Sequence, residues 1–316
     1  MKAIYFTTYG EPDVLQYGSL PDPAPGPGEV RIRVRAAGVN PVDTKVRRGL
    51  VQSRIPHVLP IVPGWDAAGE IDAVGSGVTR WKPGQAVYAY ARKPVVQWGA
   101  YAEYLVLPET QVAAKPASLD WNEAASVPLA ALTAWQSLFD TAGLERGQRV
   151  LIHAGAGGVG GFAIQLAKHA GCWVAATASA ANRDYVRSLG ADEVIDYTAV
   201  DFRPAVRSML PVGVDVAYDT VGGDVQDRSA EVVRPGGVLV SILAFRDREA
   251  IEARGVSARY LFVSPNVEQL DKLAALFERG ALRTRVSRVW PLEQAIEAHR
   301  QIQTGHTAGK LVLSIA

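Results

Sequence analysis

Between Gly147 and about Val263, short β-branched and apolar runs alternate with amphipathic stretches of helical period. The runs predict strands at Arg149–His153, Trp173–Thr177, Glu193–Ile195, Val214–Tyr218, Val238–Leu243 and Arg259–Val263. The stretches predict helices near Val159–His169, Arg183–Leu189, Ala199–Met209, Val225–Val233 and Asp247–Ala253. Each helix would carry the chain back across a face of the sheet, so successive strands run parallel. That rhythm points to a doubly wound α/β domain.

The first 110 or so residues have a different texture. Glu29–Ala36 (EVRIRVRA) alternates apolar and charged residues, the period of a half-buried strand, after a lead-in punctuated by Pro21, Pro23, Pro25 and Pro27. Glu70–Val74 and Ala86–Ala91 predict further short strands, separated by glycines, and the whole predicts an irregular β-barrel. The texture changes near Trp121. Asn122–Ala142 is rich in Ala and Leu and predicts a helix broken or kinked near Pro128. The tail predicts a helix (Glu268–Arg279), a strand (Arg285–Trp290), a helix (Leu292–Gln303) and a last strand (Lys310–Ile315).

Composition narrows the class. At 48% hydrophobic and 21% charged residues the chain can build full cores, and a net charge of +1 supplies no global field toward nucleic acid or anionic lipid. A single cysteine, Cys172, excludes an intrachain disulfide and any zinc site built on several thiolates. No stretch of about 18 uncharged apolar residues, the length of a spanning helix, occurs, and the N-terminus lacks a charged-then-apolar signal pattern. The expectation is a soluble protein of a reducing, cytoplasmic setting, with no membrane and no nucleic-acid partner.

The candidate chemistry begins after the first predicted α/β strand. Gly155-Ala156-Gly157-Gly158-Val159-Gly160 satisfies GxGxxG, with a strand before it, an amphipathic helix after it and a second strand on schedule. Gly155 is expected to allow a sharp turn. Gly157 and Gly158 would let the backbone approach a diphosphate, and Gly160 would let helix and strand pack closely. The helix N-terminus then offers unpaired N–H groups and partial positive charge to phosphates. An NAD site usually places a carboxylate at the end of the second strand for the ribose 2′-OH. Here that stretch reads Thr177-Ala178-Ser179-Ala180-Ala181-Asn182-Arg183. Ser179 and Asn182 can donate to a 2′-phosphate and Arg183 can pair with it, so the expected cofactor is NADPH. Arg183 as an ordinary exposed helix residue is the alternative.

Further strings resemble a known family. Ala36-Ala37-Gly38-Val39-Asn40-Pro41-Val42-Asp43-Thr44, Val62-Pro63-Gly64-Trp65-Asp66-Ala67-Ala68-Gly69, Gly99-Ala100-Tyr101-Ala102-Glu103-Tyr104, Ser188-Leu189-Gly190-Ala191-Asp192, Asp219-Thr220-Val221-Gly222-Gly223 and Gly309-Lys310 resemble, in order, the zinc-free medium-chain dehydrogenase/reductases of the zeta-crystallin and quinone oxidoreductase type. The resemblance implies an α/β chain with two domains. A GroES-like β-barrel catalytic domain would span residues 1–121 and be completed by 265–316, and a Rossmann NADPH-binding domain would span 122–264.

In zinc-bearing relatives a Cys stands where this chain has Asn40, and a His where it has Trp65. Amide and indole are poor zinc ligands, so no metal is expected. Asp66 resembles the carboxylate beside that lost site, or is a hydrogen-bonded structural residue. Without a Lewis acid, electron-poor acceptors are favoured, and the expected reaction is hydride transfer to quinones or α,β-unsaturated carbonyls.

The resemblance places Asn40 near the nicotinamide, where its amide would donate to a carbonyl or ribose. A turn-stabilising role before Pro41 is its alternative. Thr133 is implied at the nicotinamide ribose or phosphate, and Lys310 close to the cofactor or else solvated. Thr220 and Val221, with Leu243, Ala244 and Phe245, end the fourth and fifth strands, where ligands of such sheets bind. Val159 and Tyr197 complete the expected cofactor set. Relatives often carry Tyr where this chain has Lys45, which would take over a donor role if the substrate is the same. Trp65 and Trp98, with Phe245, would form an aromatic wall for a flat substrate, or are plain core.

The last α/β strand would be a sheet edge, and in the family that edge often meets its copy, so a homodimer is expected. Two other readings stay open. One is a pathway-specific enoyl reductase acting on acyl thioesters. The other is an NADPH-binding protein, crystallin-like or RNA-binding, with incidental catalysis.

Overall fold

Arg149–Ile152, the apolar run ahead of the glycine turn, lies inside a six-stranded parallel sheet of spatial order Glu193–Asp196, Trp173–Ala178, Arg149–Ile152, Val214–Asp219, Val233–Ser241, Ser257–Tyr260. These strands form in the computed structural model, which describes residues 1–316, because both faces of the sheet are covered. Val150, Leu151, Ile152, Val174, Ala175, Ala176, Val216 and Ala217 are all buried. Strands buried on two faces read as continuous apolar runs, which made this region legible in the sequence. The first strand has the second on one side and the fourth on the other. That reversal of order is where open α/β sheets bind ligands, beyond the carboxyl ends.

The sheet and its helices belong to one compact unit, Ala130–Val263 with Ala281–Arg283; the other comprises Met1–Leu129, Ser264–Gly280 and Thr284–Ala316. Several boundaries depart from the expectation: the fifth strand begins at Val233 rather than Val238, the helix expected over Val225–Val233 ends at Ser229, and the barrel strand expected from Glu70 begins at Asp66. The edge strand spans Ser257–Tyr260 rather than Arg259–Val263, because the ladder pairs Val238 with Ser257 and Ser241 with Tyr260. The apolar triplet Leu261–Val263 mimics strand but follows the last ladder pair. The helix expected from Ala199 begins at Phe202, after Asp201 caps it by accepting from the Arg203 N–H at 3.0 Å.

The second unit is built on a seven-stranded sheet. Val286–Pro291, Lys310–Ser314, Glu29–Val39, Asp66–Val74, Ala86–Tyr90 and Ala113–Ala114 are neighbours in that order, and Tyr104–Pro108 also pairs with Glu29–Val39. The chain's last strand returns antiparallel to the long early strand, Leu311 opposite Val39 and Ser314 opposite Ala36. That return brings Lys310 beside Asn40.

A helix the hydrophobic pattern did not reveal, Pro41–Arg47, follows Val39 directly. Its signals are local: Pro41 sits in the first turn, and the Asp43 carboxylate accepts from the Asn40 N–H at 2.8 Å. The Ala/Leu-rich stretch divides at Ser126 into Trp121–Ala125 and Pro128–Trp135, the second running into a wider turn over Gln136–Thr141. Asp120 and Glu123 cap the first piece reciprocally, at 2.7 and 3.0 Å. No helix of the chain is long and apolar enough to cross a membrane.

Candidate active site

The glycine turn leads from the strand Arg149–Ile152 into the helix Gly158–His169. Its sharp bend falls on Ala154, whose φ is 51°, the chain's only non-glycine residue at positive φ. Gly155 was expected to make that bend. Instead it packs tightly: a Cβ there would lie 3.0 Å from both Ala176 Cβ and Ile164 Cδ1. Gly160 backs directly onto the turn: its Cβ would stand 2.3 Å from the Ala154 carbonyl oxygen. A Cβ on Gly157 would meet only that same oxygen, at 3.3 Å. The arrangement leaves bare backbone at the helix head, where unpaired N–H groups and the helix dipole favour an anion. Gly158 and Val159 form its first turn. A dinucleotide diphosphate fits this cradle.

The second strand ends at Ala178, and Ser179 opens a short turn over Ala180–Asn182. The Asn182 amide donates to Ser179 Oγ at 3.1 Å, so the two polar residues are joined. Arg183 starts the next helix and is exposed, as is Tyr197 beyond the third strand. The second strand itself ends without a carboxylate. Parallel register brings one: Asp196 lies opposite Ala178. Its carboxyl is held below the usual range by the Thr198 hydroxyl and N–H, at 2.6 and 3.0 Å. Asp196 therefore ties down its own turn.

At the carboxyl ends of the fourth and fifth strands, the buried Asp219 carboxylate gathers the loops. It accepts from the N–H groups of Val221 and Gly222 at 2.9 and 2.8 Å and from the Ser241 hydroxyl at 2.6 Å. The Leu243 N–H donates to Ser241 Oγ at 3.0 Å, and Thr220 Oγ1 donates to the His153 carbonyl at 3.0 Å. Thr220, Val221 and Leu243 are thereby fixed around the end of the first strand. Ala244 is exposed, and Phe245 packs part of its ring on the sheet's core. Thr133 is buried, and its carbonyl accepts from the Tyr218 hydroxyl at 3.4 Å.

In the barrel unit the structure gathers a buried polar cluster. Asn40, Asp43, Asp66 and Lys310 are all at most 5% exposed. The Asn40 amide donates to Asp66 Oδ2 at 2.9 Å, while its oxygen accepts from the Lys310 ammonium. Lys310 lies 3.5 Å from Asp66 Oδ2, and Asp66 Oδ1 accepts from the Leu129 N–H at 2.7 Å. Asp43 Oδ2 accepts from the Tyr101 hydroxyl at 3.2 Å, and its other oxygen has no partner. Burial pushes the Asp43 carboxyl up to about 7, against the Asn40 N–H and with the Asp66 charge adding to the rise. Burial likewise raises Asp66, opposed by Lys310 and the bond from Asn40. Lys310 thus pairs with Asp66, and its charge also opposes the rise at Asp43. Sequence reading singled out Asn40 and Lys310 but not Asp43 or Tyr101; the signal for Asp43 was its place three residues after a helix-capping Asn.

Lys45 lies on the same short helix, half-buried. Desolvation, then the charge of Arg54, lowers its pKa. Trp65 is buried edge-on against Tyr90 at 6.2 Å between ring centroids, whereas Trp98 is 42% exposed. The two indoles differ in surroundings, so they do not read as equal halves of one wall. No three His, Cys, Asp or Glu side chains come together to hold a metal ion.

Comparison with known proteins places both units. Residues 26–117 match the family described as alcohol dehydrogenase GroES-like domain, and residues 189–313 match the family described as zinc-binding dehydrogenase. The chain is 37% identical, over 99% of its own length and 79% of the relative's, to a 2-methylene-furan-3-one reductase of Solanum lycopersicum. Among solved structures it is similar to a quinone oxidoreductase from Coxiella burnetii, with a TM-score of 0.91 and 37% identity over 100% of this chain and 99% of that one. A mycobacterial protein solved in complex with NADPH has a TM-score of 0.90 and 32% identity over 99% and 100% of the two chains.

Proposed function

Given that the chain belongs to the medium-chain dehydrogenase/reductase family, among its quinone oxidoreductases and enone reductases, we propose that it is an NADPH-dependent reductase of quinones or α,β-unsaturated carbonyls that works without zinc. The observation that carries this reading is the bare-backbone cradle at Gly157–Gly160, placed at the head of the helix Gly158–His169 and at the reversal point of the sheet. The similarity to a 2-methylene-furan-3-one reductase and to a quinone oxidoreductase supports the acceptor class.

When bound, NADPH supplies the hydride, which leaves the chain to position the reactants and stabilise developing charge. Ser179, Asn182 and Arg183 are the groups for the 2′-phosphate, donating two neutral bonds and one charged pair. Asn40 uses one amide N–H on Asp66 and its oxygen on Lys310. Its second N–H remains to donate to the oxygen of an acceptor. Lys45, its ammonium made more acidic by burial, is the proposed source of the proton that follows the hydride.

Titration with the two nicotinamide cofactors tests the preference. NADPH is expected to bind more tightly than NADH. Arg183→Ala should weaken NADPH by about tenfold, the worth of one charge-assisted pair, and leave NADH unchanged. Equal or tighter binding of NADH by the unmodified chain contradicts the assignment.

A further inference from the structure

The bend at Ala154 sets a question that the glycine motif leaves unanswered. A non-glycine residue at positive φ is strained and persists only where its surroundings hold it. At Ala154 those surroundings are polar and buried. The Ala154 N–H donates to Thr177 Oγ1 at 3.1 Å, and the Gly155 N–H donates to the Thr177 carbonyl at 2.8 Å. On its far side, the Ala154 carbonyl accepts from the Gly157 N–H at 2.9 Å. One residue on the neighbouring strand therefore holds two consecutive amides of the turn.

The direction of each bond behind Thr177 follows from counting protons. Ser229 Oγ donates its single proton to the Val225 carbonyl at 2.5 Å. It can then only accept from His153 Nε2, which lies 2.9 Å away. His153 therefore carries its proton on Nε2 and presents a bare Nδ1. Thr177 Oγ1, 3.2 Å from that Nδ1, already accepts from Ala154 and must donate to the ring. The result is one directed path from the Ala154 N–H through Thr177 and His153 to Ser229 and the Val225 carbonyl. His153, Thr177 and Ser229 are each at most 3% exposed. Burial holds His153 neutral, its pKa lowered to about 4. A neutral ring is what the path requires, since an imidazolium has no acceptor for Thr177.

We propose that His153 is a positioning residue for the cofactor: through the Thr177 hydroxyl it holds Ala154 in the left-handed conformation that shapes the turn for the diphosphate. This deepens the NADPH reading and rests on it. His153 touches no ligand. It acts by making Thr177 Oγ1 a fixed acceptor rather than a rotating hydroxyl. A buried histidine just before a glycine turn thereby acquires a reason beyond filling the core.

The test separates holding the turn from merely stabilising the sheet. NADPH affinity is measured by equilibrium titration of the folded chain, with turnover followed in parallel. Thr177→Val, which keeps the shape and removes the hydroxyl, should weaken NADPH by about tenfold, a typical worth for one well-placed hydrogen bond. The KM for NADPH should rise by more than kcat falls. Thr177→Ser, which keeps the hydroxyl, should stay within about threefold of the unmodified chain. Adding Ala154→Gly to Thr177→Val should return most of the lost affinity, because glycine adopts this φ without strain. Unchanged affinity in Thr177→Val would overturn the proposal, and so would a loss that Ala154→Gly does not restore. An unmodified chain that binds no NADPH would fail earlier, overturning the functional reading and this inference with it.

Discussion

Gly160→Ala is expected to abolish measurable NADPH binding and to lower the melting temperature, while Gly161→Ala, one residue on, raises it. The two glycines occupy the same helix, Gly158–His169, but face different neighbours. A Cβ at Gly160 would stand 2.3 Å from the Ala154 oxygen, 2.9 Å from its carbonyl carbon and 3.0 Å from Gly155 Cα. All three are backbone, so nothing can rotate away. The helix must retreat from the turn, which separates the amides that would hold a diphosphate. Forced overpacking of this kind costs about 1–3 kcal/mol in stability, and the loss of geometry at the turn is expected to cost affinity at least about 100-fold. At Gly161 the nearest atom to a new Cβ is Leu189 Cδ1 at 3.4 Å, ordinary contact. Removing a helical glycine there gains roughly 0.5–1 kcal/mol. Thermal melting and cofactor titration of the two variants side by side check the contrast. Equal effects would mean that the close approach of Gly160 to Ala154 does not matter.

Lys310→Met should be the most destabilising single substitution in the barrel unit. Methionine fills the space of the buried stem but leaves Asp66, fully buried, without its cation. Removing one partner of a buried pair typically costs about 3–5 kcal/mol, whereas replacing both is often near neutral. Lys310→Met with Asp66→Asn should therefore recover most of the loss. The pH dependence has a definite sign. Burial raises the folded-state pKa of Asp66 while Lys310 opposes the rise. Without Lys310 the carboxyl is raised further, so the folded state binds a proton that the unfolded state has released. Stability then falls as pH climbs from the ordinary aspartate value toward the raised one. The deficit of Lys310→Met should be largest at alkaline pH and shrink under acid conditions, where Asp66 is protonated in both states. Asp43, raised to about 7, contributes in the same direction in the unmodified chain. Denaturant unfolding across pH follows this. A deficit that grows toward acid would contradict the buried-pair account.

The parallel sheet was legible because its central strands are buried on both faces, and apolar runs with helices between them have few other readings. The barrel was legible as a texture only. Its short helix Pro41–Arg47 is announced by Asn40, Pro41 and Asp43 rather than by periodicity, and seven residues are too few for a face to show. The glycine motif located the cradle, but not which residue bends. Ala154 carries no sign of a left-handed conformation, since what holds it there is a hydroxyl 23 residues away on another strand. Lys310 illustrates the same limit. As sequence it is a terminal lysine that reads equally as solvated or cofactor-facing. Its partners Asn40 and Asp66 reach it only because the last strand returns beside the first long one. Asp196 was overlooked because its position opposite Ala178 comes from strand register, which no search along one strand reveals.

The central claim is that this chain holds NADPH on its glycine turn and passes the hydride to an electron-poor acceptor. The most direct measurement uses NADPH deuterated at the transferring carbon of the nicotinamide, mixed with the chain, a chelator and a small enone, with the product analysed by mass spectrometry. The account predicts deuterium on the β-carbon of the reduced product, formed at an undiminished rate in the chelator. An unlabelled product, or turnover that stops when metal is withdrawn, would contradict it.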